Sequence, residues 1–425
     1  MRKYQQLLLL LISIISIIIL VVYRNENNRL KYVLQVVNFF GRNDEIELRE
    51  QKLVNLTNDN TFNKPLPLWQ VIGNNFYAYS AYWNKNELTP GGEAIAIVTG
   101  KRDAIVNFRC EAEYDEGARN ILGKFHFQRH GVERENVNFI NYKFYCRFSR
   151  DFGIPQRIAF TDINTNIKTN YKLRLRHLKK SANEVTTLQQ SAICVNLINY
   201  DMTTYFSKST ANLLQFFLHH HIALSAPAFI VYNSDELSAS IISTLQSYGI
   251  RLYLVPYNFP FSLNNASAST REIVEADCLL RNYQLSQHTL ILNINEFFFP
   301  NTKLGDNSVF RSMHHYENEI TRFELPTFAV CIGDKNKVLV ENKLYDPEVH
   351  TPNKIYLYRN SVQQVSFEST RSVSLPVSTA LLHHYIVCTN VGKDGLHDWR
   401  NSVREDFMQN INTFTEKMRI MLKGY

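Results

Sequence analysis

The sequence predicts an α/β protein: a mostly parallel sheet domain over residues 190–425, preceded by a small β-rich domain over 70–185 and an amino-terminal transmembrane helix. Three observations carry this. Leu7 to Val22 is apolar except for Ser13 and Ser16. From Phe76 to Thr161, short β-type runs are separated by Gly, Pro, Asn and Asp. From Ser191 onward, strand-like and helix-like stretches alternate, which implies parallel strands joined by right-handed crossovers.

The apolar segment comes first. Arg2 and Lys3 precede it and Tyr23-Arg24 follow, with none of the small residues that a signal-peptidase site needs. At about 1.5 Å per residue it spans roughly 25 Å, a length suited to a thin early-secretory bilayer. A short amino-terminal end before a large body is the usual signal-anchor layout. Residues 1–6 then read as a cytosolic tail, 7–23 as the anchor and 24–69 as a polar, Asn-rich luminal stem of a single-pass type II protein.

The remainder has the composition of a folded protein, 45% hydrophobic and 20% charged, with 27 Phe and 23 Tyr. A net charge of +7 is spread along the chain, without the clustered basic stripe that nucleic-acid binding needs. Six cysteines in an oxidising lumen fit disulfides, with fifteen pairings open. Their spacing contains no zinc-site pattern. The sequons at Asn55 and Asn265 are expected glycosylation sites on a luminal body.

In the β-rich part the strand candidates are 76–83, 94–98, 104–108, 137–148 and 156–161; Cys110 and Cys146 are placed to staple it. Next come a strand at Ala192–Ile198 and a helix at Ser209–His220, whose closing His219–His221 suit the negative end of its dipole. A strand at Ala228–Tyr232 ends in Asn233-Ser234-Asp235, which can cap a helix from Glu236 to Tyr248. A strand at Arg251–Tyr257 and a helix at Arg271–Gln287 follow. Farther on, 337–340, 355–358 and 380–387 read as strands and 402–421 as a helix.

The stretch that carries chemistry is Thr289 to Pro300. Thr289–Leu292 reads as a buried strand ending in three oxygen-bearing side chains, Asn293, Asn295 and Glu296, then a Phe triplet and a Pro that stops the strand. Ligands of open α/β sheets bind just beyond the carboxyl ends of strands.

At these residues the chain resembles glycosyltransferase family 92. The likeness rests on Asp277-Cys278-Leu279-Leu280-Arg281, Asn293-Ile294-Asn295-Glu296-Phe297 with Pro300, Tyr79-Ser80-Ala81-Tyr82, Cys194, Phe229 to Asn233, Val349-His350 and His384-Tyr385. It covers roughly residues 75–390. What it implies is a GT-A-like mostly parallel domain and transfer of a hexose, galactose from UDP-galactose, to a glycan on a protein or lipid with inversion. The body would sit in the Golgi lumen. Asn293, Asn295, Glu296, Asp277 and Arg281 would bind the nucleotide-sugar donor, and Asn295, Glu296 and His384 would hold Mn²⁺. The chain departs from the family where Asn293 and Asn295 replace the two aspartates of the metal motif, and where Ile386 replaces an Arg. An amide oxygen is a weaker ligand than a carboxylate for a hard cation. The same departures fit a second reading, a luminal pseudo-glycosyltransferase that binds glycans or a partner enzyme without turnover. Glu324 and Asp346 are both candidates for the base that inversion needs, and the residues do not choose between them.

Overall fold

A computed structural model describes residues 62, 64–86, 89–114, 120–131, 135–164, 171–178, 189–197, 210–233, 237–261, 267–301, 308–332, 339–348, 354–360, 371–388 and 396–422. The expected anchor at 7–23, most of the stem, Asn55 and Asn265 lie outside these residues. No helix among the described residues is long and apolar enough to cross a membrane.

Eight strands build the first body: β1 (Gln70–Gly73), β2 (Phe76–Asn86), β3 (Thr89–Lys101), β4 (Phe108–Glu113), β5 (Ile121–His130), β6 (Phe139–Arg147), β7 (Arg157–Asp162) and β8 (Leu173–His177). Their order is β1-β2-β3-β6-β5-β4-β7-β8, and a parallel β2–β8 pairing closes the last seven into a barrel. Period-two alternation drives this. In β4, Phe108, Cys110 and Ala112 are buried inward while Arg109 points to water. In β6 both faces are covered: Tyr142, Phe144 and Cys146 fill the barrel, and Phe139 and Tyr145 pack under the next domain. The Cys110–Cys146 disulfide ties β4 to β6 across the intervening β5. Gly123 on β5 leaves room for it, since a Cβ there would lie 2.3 Å from the Cys146 sulfur.

The second sheet joins β9 (Gln189–Asn196), β10 (Ala228–Tyr232), β11 (Arg251–Val255), β12 (Ser286–Asn293), β14 (Ile320–Glu324), β17 (Tyr356–Arg359) and β18 (Arg371–Ser374) in the order β11-β10-β9-β12-β17-β14-β18. One face, with Ile193, Val195, Phe229, Leu290 and Phe323, packs with α1 (Thr210–Ala223) and α2 (Ala239–Ser247). The other, with Cys194, Ile230, Tyr232 and Ile291, packs with α3 (Ser267–Asn282) and the barrel. The Cys194–Cys278 disulfide crosses that second layer from β9 to α3. A third sheet, β13 (Glu296–Pro300), β19 (Ala380–Ile386), β15 (Thr327–Cys331), β16 (Leu344–Tyr345) and β20 (His397–Asp398), carries the Cys331–Cys388 bond. Two further helices are α4 (Ser308–Met313) and α5 (Glu405–Leu422).

This overturns the expected α/β class with a GT-A-like mostly parallel sheet. The described chain is mostly β, with a closed seven-stranded barrel and few helices, and twelve of its eighteen strand pairings are antiparallel. A parallel pair needs a long crossover. The chain supplies such crossovers around β9 to β12, giving the parallel run β11-β10-β9-β12, but not as a rule beyond Glu296.

Local boundaries shift as well. Ser238, not Asn233 to Asp235, caps α2, its Oγ accepting from the Ile241 amide. Helix α3 stops at Asn282, and Ser286 already belongs to β12. Leu339–Glu341 is a 3₁₀ turn rather than a strand. The Phe triplet and Pro300 do not end a strand but form a new one, β13, after a turn at Ile294-Asn295. His219 and His220 are not dipole-facing cations: both are buried, His219 Nε2 donating to Phe298 O and His220 Nε2 accepting from Phe298 N, so they anchor β13.

Candidate functional site

The carboxyl ends of β9 and β12 lie side by side, with Asn196 opposite Asn293, and Asn196 Nδ2 donates to Asn293 Oδ1 at 3.2 Å. The turn at Ile294-Asn295 then reverses the chain, so that Glu296 folds back on the strand it has just left. Glu296 Oε2 accepts from the Asn293 amide at 2.8 Å and Oε1 from Asn293 Nδ2 at 3.0 Å. From α3, Arg271 Nη1 reaches both carboxylate oxygens at 2.7 and 2.9 Å, while Nη2 donates to Ile291 O at 2.7 Å. Arg271 is 7% exposed and Glu296 2%, so this is a buried ion pair with nearly every oxygen lone pair directed at a donor. Burial by itself would raise the Glu296 carboxyl, but Arg271 and then His384 hold it down to about 2.

The third sheet supplies the other wall. His384 stands opposite Glu296 in the β13–β19 register, with Nδ1 3.5 Å from Glu296 Oε1. Its Nε2 lies 3.5 Å from Asn295 Nδ2, which donates to Tyr385 O at 3.0 Å. Asn295 Oδ1 is buried without a hydrogen-bond donor. An acceptor left in that state costs about 1–3 kcal/mol.

Asn293, Asn295, Glu296 and His384 therefore meet at the carboxyl end of β12. Asp277 and Arg281 do not join them. Asp277 is fully buried and accepts from Ser80 and Tyr82 of the barrel, from Tyr232 of the second sheet and from Arg281. Arg281 also donates to Phe62 O and Pro65 O. This pair clasps the barrel to the second sheet and leaves no group for a donor. Arg271 and Asn196 were missed for a plain reason. Arg271 opens an expected helix and Asn196 lies inside an expected strand, and neither carries a local pattern that singles it out.

The residues do not fit the Mn²⁺ that the resemblance implies. A hard dication wants ionised oxygens. The site holds one carboxylate, already neutralised by Arg271, whose guanidinium would repel a metal placed on the same oxygens. No group of three or more His, Cys, Asp or Glu among the described residues could hold a metal ion.

No protein-family model matches the chain, and no curated protein matches it. Among solved structures, HddC from Yersinia pseudotuberculosis is 10% identical over 53% of this chain and 100% of its own, with a TM-score of 0.23. A nucleoside-diphosphate-sugar pyrophosphorylase from Vibrio cholerae RC9 is 11% identical over 52% of this chain and 100% of its own, with a TM-score of 0.22. At these TM-scores neither likeness bears on fold or function. The three disulfides place the described body in a non-cytosolic, oxidising compartment.

Proposed function

We propose that this chain is a Golgi type II protein of the family 92 glycosyltransferase kind, taking a nucleotide sugar at the strand-end site without a divalent metal. Its reaction would be transfer of a hexose, with UDP-galactose as the donor to try first, to a glycan hydroxyl on a protein or lipid with inversion. Charge balance at Glu296 supports the metal-free reading. An aspartate pair needs a dication to offset it; Asn293 and Asn295 are neutral, and Arg271 offsets the one remaining carboxylate. The site is electrically complete without an ion. Half-buried His384 suits a phosphate oxygen.

One observation favours the pseudo-glycosyltransferase instead: none of Asn293, Asn295 and Glu296 offers a free ionised oxygen. Calorimetric titration of UDP and UDP-galactose, with and without Mn²⁺, separates the readings. Binding of equal strength in both conditions is the expected result. Binding that appears only with Mn²⁺ would overturn the metal-free site. Absence of nucleotide binding by folded protein would leave the pseudo-enzyme.

A further inference from the structure

Inversion needs a base on the attacking hydroxyl, and Glu296 cannot serve while its oxygens are tied to Arg271 and Asn293. Of the two candidates open on sequence, Asp346 is buried beside the third sheet, and its Oδ1 accepts from the Glu348 amide. Glu324 is placed differently. It is the last residue of β14, and β12 and β14 both run antiparallel to β17, so they point the same way. Glu324 therefore ends on the same sheet edge as Asn293.

Register places both on one face. Glu324 stands opposite Tyr356, and β17 meets β12 with Leu357 opposite Leu290. Continued one step, that register sets Tyr356 beside Ile291, which shares its face with Asn293 two residues on. Phe323, Leu357 and Leu290 turn the other way, into the core under α1 and α2. Two strand spacings of about 4.8 Å across and two residues of about 3.3 Å along put the Glu324 and Asn293 backbones about 12 Å apart.

The Glu324 side chain is 26% exposed, so water and an acceptor can reach it. Lys354 Nζ lies 2.9 Å from Oε2, and Ser374 Oγ 3.5 Å from the same atom. Both contacts are to the same oxygen, Oε2.

We propose that Glu324 is the general base of the strand-end site; this rests on the transferase reading above. Glu324 takes the proton of the acceptor hydroxyl as that oxygen bonds to the anomeric carbon. The bond from the anomeric carbon to the phosphate oxygen breaks, and its electron pair leaves with UDP. Water can replace the acceptor, giving free galactose and UDP with the same balance. Lys354 is a positioning residue.

The test uses the full chain in detergent with UDP-galactose and water as acceptor, reading UDP release and, separately, UDP-galactose binding by calorimetry. Glu324→Gln is expected to lower kcat by roughly 100-fold or more with the dissociation constant unchanged. Glu324→Asp should keep part of the rate, and Asp346→Asn should keep most of it. Glu324→Gln turning over within about 3-fold of wild type overturns the assignment, as does wild-type protein that binds UDP-galactose yet releases no UDP. Wild-type protein that binds no UDP-galactose overturns the transferase reading itself, and the base with it.

Discussion

Arg281→Met should cost more stability than any other single change at the barrel–sheet junction. Asp277 and Arg281 are 0% and 1% exposed, with Arg281 Nε 2.9 Å from Asp277 Oδ2. Removing the guanidinium leaves a buried carboxylate with only the hydroxyls of Ser80, Tyr82 and Tyr232. Breaking a buried pair from one side costs about 3–5 kcal/mol, a large share of the 5–15 kcal/mol typical of a folded protein. Removing both charges leaves no uncompensated ion, so Asp277→Asn/Arg281→Met should be less destabilised than Arg281→Met alone, with a coupling of about 2 kcal/mol. Residues 61–425 form one compact unit that contains all three tryptophans, Trp69, Trp83 and Trp399. Urea unfolding of this unit followed by tryptophan fluorescence measures each cost. A loss under about 1 kcal/mol for Arg281→Met, or a double mutant at the sum of the singles, would refute the clasp.

Three other outcomes are expected. Burial lowers His219 and His288 to about 4 and His130 and His383 to about 3. These rings are neutral in the fold while the unfolded chain protonates near the ordinary value, so their contribution is complete above about pH 6.5 and falls as pH drops below it. The loss is about 1.4 kcal/mol per histidine per pH unit. Urea midpoints that match at pH 7.5 and 5.5 would contradict this. Gly92 has φ +85°, and a Cβ there would sit 2.0 Å from a Trp83 ring carbon. Gly92→Ala should therefore cost about 3 kcal/mol, from the backbone and the displaced ring together; an unchanged melting temperature would rule that out. Replacing Cys194 and Cys278 by Ala opens a link of sequence separation 84 and should cost about 4 kcal/mol in the same urea assay.

Much of this protein could be read without coordinates where short-range pattern controls the outcome. Short apolar runs marked the strands around Ala94–Val98, Ala192–Ile198 and Ala228–Tyr232, and 3.6 spacing marked α1 and α3. The polar triplet after Leu292 marked the candidate site, because ligands of open sheets bind just beyond the carboxyl ends of strands. Strand β5 escaped, since Ile121–His130 is largely half-exposed or exposed and its alternation is weak.

What depended on distant residues was not readable. The direction of each strand pair follows from how the chain returns, so the parallel run of β9 to β12 gave no warning of the barrel closed by β2 and β8. The roles of the charged groups were of the same kind. Asp277 and Glu296 look alike in sequence, both carboxylates beside a strand end or helix that the resemblance assigns to a donor. One became a clasp because Ser80, Tyr82 and Tyr232 converge on it, and the other is an ionised carboxylate whose charge is offset because Arg271 lies 25 positions away in sequence and 2.7 Å away in space. The chain itself determined which segments are strands and where polar atoms gather at their ends, through local sterics and side-chain period. Only the tertiary structure decided which charge offsets which, because Coulomb energy in a dry interior is set by separation in space and not along the chain.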